Sequence, residues 1–125
     1  MIIHDLYQLD TDRTTTSLLN LLKEKHVAHL NEYLLFNLDG KMKEELTQNI
    51  QYLSDDGLWT ESELISYEVV AKTIDNEFIL SNDTQVLVIP SHLNKVDSEI
   101  FDLSIWSFLC QFEEKNLATT ILALN

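Results

Sequence analysis

His26 and His29 are three residues apart, with Glu32 three further on, and theirs is the first spacing in this chain that could hold a metal. On a helix the three side chains would share one face. Zinc, however, takes three or four ligands of defined spacing, and no cysteine pair or third histidine lies near them. The pattern reads as two solvent-facing histidines beyond the Lys23-Glu24-Lys25 helix end, and no metal is expected. Nucleophilic chemistry has as little to work with. Cys110, the one cysteine, lies by an apolar stripe between Leu109 and Phe112, with nothing beside it in sequence to lower its pKa. His92 follows Ser91 without a positioned acid, and no Gly-x-Ser-x-Gly elbow occurs. Two glycines in the whole chain leave no Gly-rich phosphate loop. Carboxylates are plentiful, but acid–base work needs a pair whose environments push their pKa values apart. The chain is therefore expected to be no enzyme and to carry no cofactor.

What distinguishes the acids is where they lie. Lys43 and Lys72 bracket residues 44–71, which hold seven acids (Glu44, Glu45, Asp55, Asp56, Glu61, Glu63 and Glu68) and no Lys or Arg. Across 44–114, fifteen Asp and Glu face only Lys72 and Lys95, which accounts for the whole net charge of −13. Acidity can serve solubility alone, yet a field this uneven also repels nucleic acid and anionic lipid and attracts basic protein surfaces. No basic stripe interleaves with aromatics as a nucleic-acid groove requires. Tyr52, Trp59 and Tyr67 lie inside the acidic stretch, and aromatics ringed by charge are what interface hot spots look like. Tyr52 and Tyr67 suit a core equally well, whereas Trp59, between Gly57 and Glu61 in an expected loop, reads as a surface residue. Asp55, Asp56, Trp59, Glu61 and Glu63 are the expected partner-binding residues, on one exposed surface free of Lys and Arg.

The elements that must position them follow from periodicity. Thr14 to Ser17 offer N-cap oxygens to a helix over 14–25, and Leu30, Tyr33, Leu34 and Leu38 extend helical spacing over 29–38. Gly40 ends that pattern, and Met42, Leu46, Ile50 and Leu53 mark a third helix over 42–53. Residues 2–9 fit either a short strand or irregular chain. The period then changes. Leu64 to Ala71, Phe78 to Leu80 and Gln85 to Ile89 are β-branched or aromatic runs separated by polar turns, an antiparallel meander. Val86 to Ile89 is apolar at every position, so that strand should be covered on both faces. Helix resumes over 98–114, and residues 117–124 fit a last helix or an edge strand. The expected class is α+β: N-terminal helices, a small antiparallel sheet of about three to five strands, and a C-terminal helix packed on it.

The 125 residues fit one domain, 45% hydrophobic and 23% charged, which is globular composition. A single cysteine suits a reducing compartment, no export signal is visible at Met1 to Asp5, and no apolar run approaches a membrane span. The expectation is a cytoplasmic protein without membrane contact.

Ile65-Ser66-Tyr67-Glu68-Val69-Val70, Glu77-Phe78-Ile79-Leu80, Gln85 to Pro90 and Phe101 to Leu109 together resemble the SUKH superfamily of yeast cell-wall assembly regulators and bacterial immunity proteins. Ser104, Ile105, Phe108 and Leu109 match its C-terminal helix, which opens on a small polar residue followed by a hydrophobic-x-x-Phe-Leu element. Asn37-Leu38-Asp39-Gly40 matches its Asn-Gly turn with two residues inserted, and Ala71-Lys72-Thr73 stands where members often have glycine. The resemblance spans 14–114. It implies a binding module that neutralises a toxin, in many cases a nuclease with a basic surface. Together with the charge, the expected function is an immunity or antitoxin-like protein that occludes a basic cognate toxin. A regulatory adaptor without a toxin partner, or a phage-type nucleic-acid mimic that blocks a DNA-binding protein, would share the same features.

Overall fold

Strands that are apolar on both sides must be covered twice, and that requirement organises the chain. A computed structural model describes residues 2–53 and 56–123. Its elements are α1 (Ile2–Leu9), α2 (Thr15–Glu24), β1 (His29–Leu30), β2 (Leu34–Phe36), α3 (Lys41–Leu53), α4 (Glu61–Leu64), β3 (Glu68–Thr73), β4 (Phe78–Ser81), β5 (Val86–Ile89), β6 (Glu99–Phe101) and α5 (Ile105–Glu113). The six strands form one antiparallel sheet in sequence order. The fold is α+β. Ile79, Val86 and Val88 point to one face and pack with α1, α2 and α5; Phe78, Leu80, Leu87 and Ile89 point to the other and pack with Leu46 of α3 and Leu64 of α4. Every residue of β5 is buried, as its apolar run predicts.

Asn37 couples the sheet to α3. The β3–β4 register shifts between Val69 and Ala71, so Val70 and Ala71 both serve the first face while Val69 serves the second. Such a bulge leaves carbonyls out of the ladder. Asn37 collects them: its side-chain amide donates to Val69 O at 2.9 Å and its backbone N–H to Val70 O at 2.8 Å. Its Oδ1 then accepts from the Met42 N–H at 3.3 Å, satisfying an orphan donor in the first turn of α3. Gly40, with φ at +78°, makes the left-handed step between the two that a side chain would strain.

Several elements differ from the periodicity. Residues 2–9 are a helix, because its first N–H groups are capped from far away: the Glu113 carboxylate accepts from Ile2 N at 3.2 Å and Ile3 N at 2.7 Å. Residues 29–38 are a β-hairpin and not a helix. Asn31 and Glu32 both take positive φ, reversing the chain so that Leu30, Leu34 and Phe36 are buried from strands. The helix expected over 98–114 starts only at Ile105, capped by Ser104, and residues 99–101 are instead β6, paired with β5. These reassignments raise the sheet to six strands. β3 starts at Glu68, since Thr60 and Glu63 form a capping box that winds 61–64 into α4.

Residues 117–123 are neither helix nor strand: Leu117 and Leu122 are buried, and Thr119 and Thr120 hold the Glu99 carboxylate of β6. No described helix is long and apolar enough to cross a membrane.

Because Glu113 is the shared cap of α1, Glu113→Ala is expected to lower unfolding free energy by about 1–2 kcal/mol. Glu113→Gln, which keeps an acceptor and loses the charge, should cost roughly half as much by the same reasoning. Urea unfolding monitored by circular dichroism measures both; equal stability of all three proteins would show that the clasp contributes nothing.

Candidate interaction surface

Two neighbouring structures rise from the acidic stretch: a pair of stitched loops and an apolar groove. In the loops, Leu58 bridges to Asn94, the Trp59 N–H donates to Leu93 O at 3.3 Å, and the Lys95 N–H donates to Gly57 O at 3.0 Å. Trp59 completes the seam. Its indole Nε1 donates to Ser98 Oγ at 2.8 Å, and that hydroxyl donates to Asn94 O at 2.9 Å. The ring packs on the core beside Leu58 and Leu93, with Lys95 Nζ 5.7 Å from its centroid. Trp59 is half-buried and therefore holds the loop as well as lining the surface.

Glu63 has similarly divided duties. It accepts from Thr60 N at 3.0 Å as the return arm of the capping box, and its other oxygen pairs with Lys95. The Lys95 hydrogen bond is the main cause that holds its carboxyl below the ordinary glutamate range, with Thr60 second. The expectation of a cation-free surface is thus corrected at this point, because Lys95 sits between Glu63 and Trp59. Asp56 and Glu61 are exposed, and Glu61 accepts from Gln51 Nε2 at 3.3 Å. Asp55 lies outside the described residues.

The groove, of about 450 Å3, lies between α3 and α4. One wall is the α3 stripe Lys43, Leu46, Thr47 and Ile50, whose steps of three, one and three put it on a single helical face. The opposite wall carries Glu61, Leu64 and Ile65, and Tyr67, Val69 and Leu80 form the floor. Ile65 is 78% exposed at the rim, and Leu53 continues the α3 stripe into solvent. Of the four expected residues that are described, only Glu61 borders this groove. Sequence reasoning missed Ile65 and Lys43. The Met42-Leu46-Ile50-Leu53 stripe marks one wall in the sequence, and no spacing places Ile65 opposite it. Tyr52 is 88% exposed and Tyr67 is half-buried in the groove floor.

Chemistry has few footholds. His26 takes a left-handed turn conformation after α2 while His29 opens β1, so the two never share a helical face. Among the described residues no group of three or more His, Cys, Asp or Glu could hold a metal ion. Burial pushes the Cys110 thiol up, and the charges of Glu114 and Glu113 push it further in the same direction. His92 Nε2 is 3.5 Å from Asp97 Oδ2, an ion pair only when the imidazole is protonated. No protein-family model, curated protein or solved structure matches this chain.

Because its folded pKa is depressed, Glu63 contributes stability that is present above the unfolded-state carboxylate value and is lost as pH falls through the folded value. Carboxyl-carbon NMR should give a Glu63 midpoint below the ordinary value of about 4.3. In Lys95→Ala the midpoint should rise toward it. An unchanged midpoint in that variant would assign the depression to the capping box alone.

Proposed function

We propose that this chain is a non-catalytic binding protein that captures a basic protein, as an immunity or antitoxin-like protein occludes a cognate toxin such as a nuclease. The observation that carries this reading is how the cations of the acidic stretch are spent. Lys72 Nζ lies 2.8 Å from both carboxylate oxygens of Glu45, and Lys95 pairs with Glu63. Both bases between residues 44 and 114 are therefore neutralised within the stretch, and no other described acid there pairs with a Lys or Arg. Apolar side chains left in solvent among those acids, Tyr52, Leu53, Ile65 and Val96, supply what charge alone cannot. Anchors of that kind carry most of the affinity of an interface, whereas charges mainly steer association and select partners.

The element order that the SUKH resemblance implies, helices, antiparallel sheet, then a helix opened by Ser104, is consistent with this reading. The mechanism is occlusion: carboxylates approach Lys and Arg around the partner's substrate path, and the apolar side chains seat once the charges have aligned the two surfaces.

The test is capture of the products of neighbouring genes on the purified chain, followed by stopped-flow association with any partner retained. Failure to retain any basic protein would end the proposal. With a partner in hand, Asp56→Lys combined with Glu61→Lys should slow association about tenfold at low salt and flatten its salt dependence. Stability should change by no more than about half a kcal/mol, since both side chains are exposed and lie outside charge networks.

A further inference from the structure

We propose that the α3–α4 groove receives a short amphipathic helix of the basic partner, lying antiparallel to α3 with a basic residue at the Glu61 end. The inference rests on the basic-partner reading and specifies the site and the form of the occupant. Size comes first. The α3 wall runs from Lys43 to Ile50, seven residue steps or about 10 Å, which is two turns of a docked helix. Two or three anchors at i, i+3 and i+4 would fill it.

The floor decides between a helix and an extended peptide. Val69 and Leu80 present side chains from the sheet face, and α3 and α4 wall the groove on either side. Val69 and Leu80 are paired with each other across β3 and β4, and the Asn37 side chain takes the Val69 carbonyl on the other side. An extended segment would lay its backbone N–H and C=O groups on apolar carbon without partners, each costly to desolvate. A helix satisfies those groups internally and offers only its side chains.

Charge sets the direction. Glu61 stands beside Gln51 at the C-terminal half of α3, where the helix dipole is negative; Lys43 stands in the first turn, where it is positive. Lys43 makes no ion pair among the described residues, so its ammonium is free to act. The groove thus has an acidic end and a basic end. An occupant whose positive N-terminus and a Lys or Arg face Glu61, and whose negative C-terminus and an acid face Lys43, opposes both charges and both dipoles. The parallel orientation sets like against like at each end. A second copy of this chain is disfavoured, because two surfaces from the same acid-rich stretch would repel.

The probe is a helix-stabilised peptide of about fourteen residues with Leu at i, i+3, i+4 and i+7, Lys at its N-terminal end and Glu at its C-terminal end. Its comparison is the same peptide with the Lys and Glu positions exchanged. Both are titrated into the isotopically labelled full chain and followed by amide and methyl NMR. Saturable shifts confined to Leu46, Ile50, Leu64 and Ile65, at least fivefold weaker binding by the exchanged peptide, and a tenfold loss in Ile65→Ser are expected. Ile65 and Glu61 are exposed, so Ile65→Ser and Glu61→Lys should keep the native spectrum elsewhere. Glu61→Lys should reverse the preference between the two peptides. Shifts scattered outside the groove, no saturation by about 1 mM, or equal binding of the two peptides would overturn the assignment. A concentration-dependent dimer in sedimentation that Ile65→Ser dissociates would overturn it also, by giving the groove to a second copy. Capture of a basic protein measured on Ile65→Ser separates the two ideas. Undiminished capture together with failed peptide binding removes the groove helix and leaves the basic-partner reading. Peptide binding without capture of any basic protein does the reverse.

Discussion

A sheet whose central strands are apolar on both faces cannot stand half in water, and nearly everything else in this protein answers that constraint. β4 and β5 bury every residue, and each alternate side chain belongs to a different core. Burying a large aliphatic or aromatic side chain is worth roughly 1.5–3 kcal/mol, so leaving either face bare would forfeit several such terms at once. One face is covered by three helices and the final irregular stretch. The other is covered by α3, by the four residues of α4 and by the stitched loops. The second cover is the thinner of the two, and the groove is the part of it left unfilled.

The placement of that cover comes from polar atoms more than from apolar ones. Hydrophobic contact would let α3 slide over the sheet, since dispersion and burial have little directionality. Asn37 removes that freedom by tying the β3 bulge to the first turn of α3 through three directional bonds. The bulge thus creates unpaired carbonyls, and the side chain that satisfies them sets where α3 begins.

How much of this could be read beforehand depended on whether the deciding interaction was local. α2 carries its own cap and stripe, α3 its own stripe, and the meander β3 to β5 its own β-branched runs, so each was legible in the sequence. α1 was not, because the acceptor for its first N–H groups is Glu113, more than a hundred residues away. The β1–β2 hairpin misled because Leu30, Leu34 and Leu38 also fit a helical period, and the reversal uses Asn31 and Glu32 in left-handed conformations without a glycine to announce it. β6 was hidden by its continuity with the apolar stripe of α5. For the candidate surface, the charge was visible and the division of labour was not. Trp59 and Glu63 were picked out by type, and their hydrogen bonds to Ser98, Thr60 and Lys95 give them structural duties that no spacing rule displays.

The seam between residues 57–59 and 93–98 bears on how such a surface changes over generations. Its bonds run through backbone groups, one indole and one hydroxyl, and none of them depends on the identity of Asp56, Glu61 or Ile65. Those three positions can be exchanged for other charges or other apolar residues without loosening the frame that presents them. Substitutions at exposed sites of this kind usually leave stability within about half a kcal/mol. On the reading proposed above, Asp56, Glu61 and Ile65 are thus separable from the residues that fold this stretch, whereas Trp59 and Glu63 serve both purposes. If the proposed capture of a basic partner holds, a lineage could follow a drifting partner by point replacement at those three positions while the scaffold stays as it is.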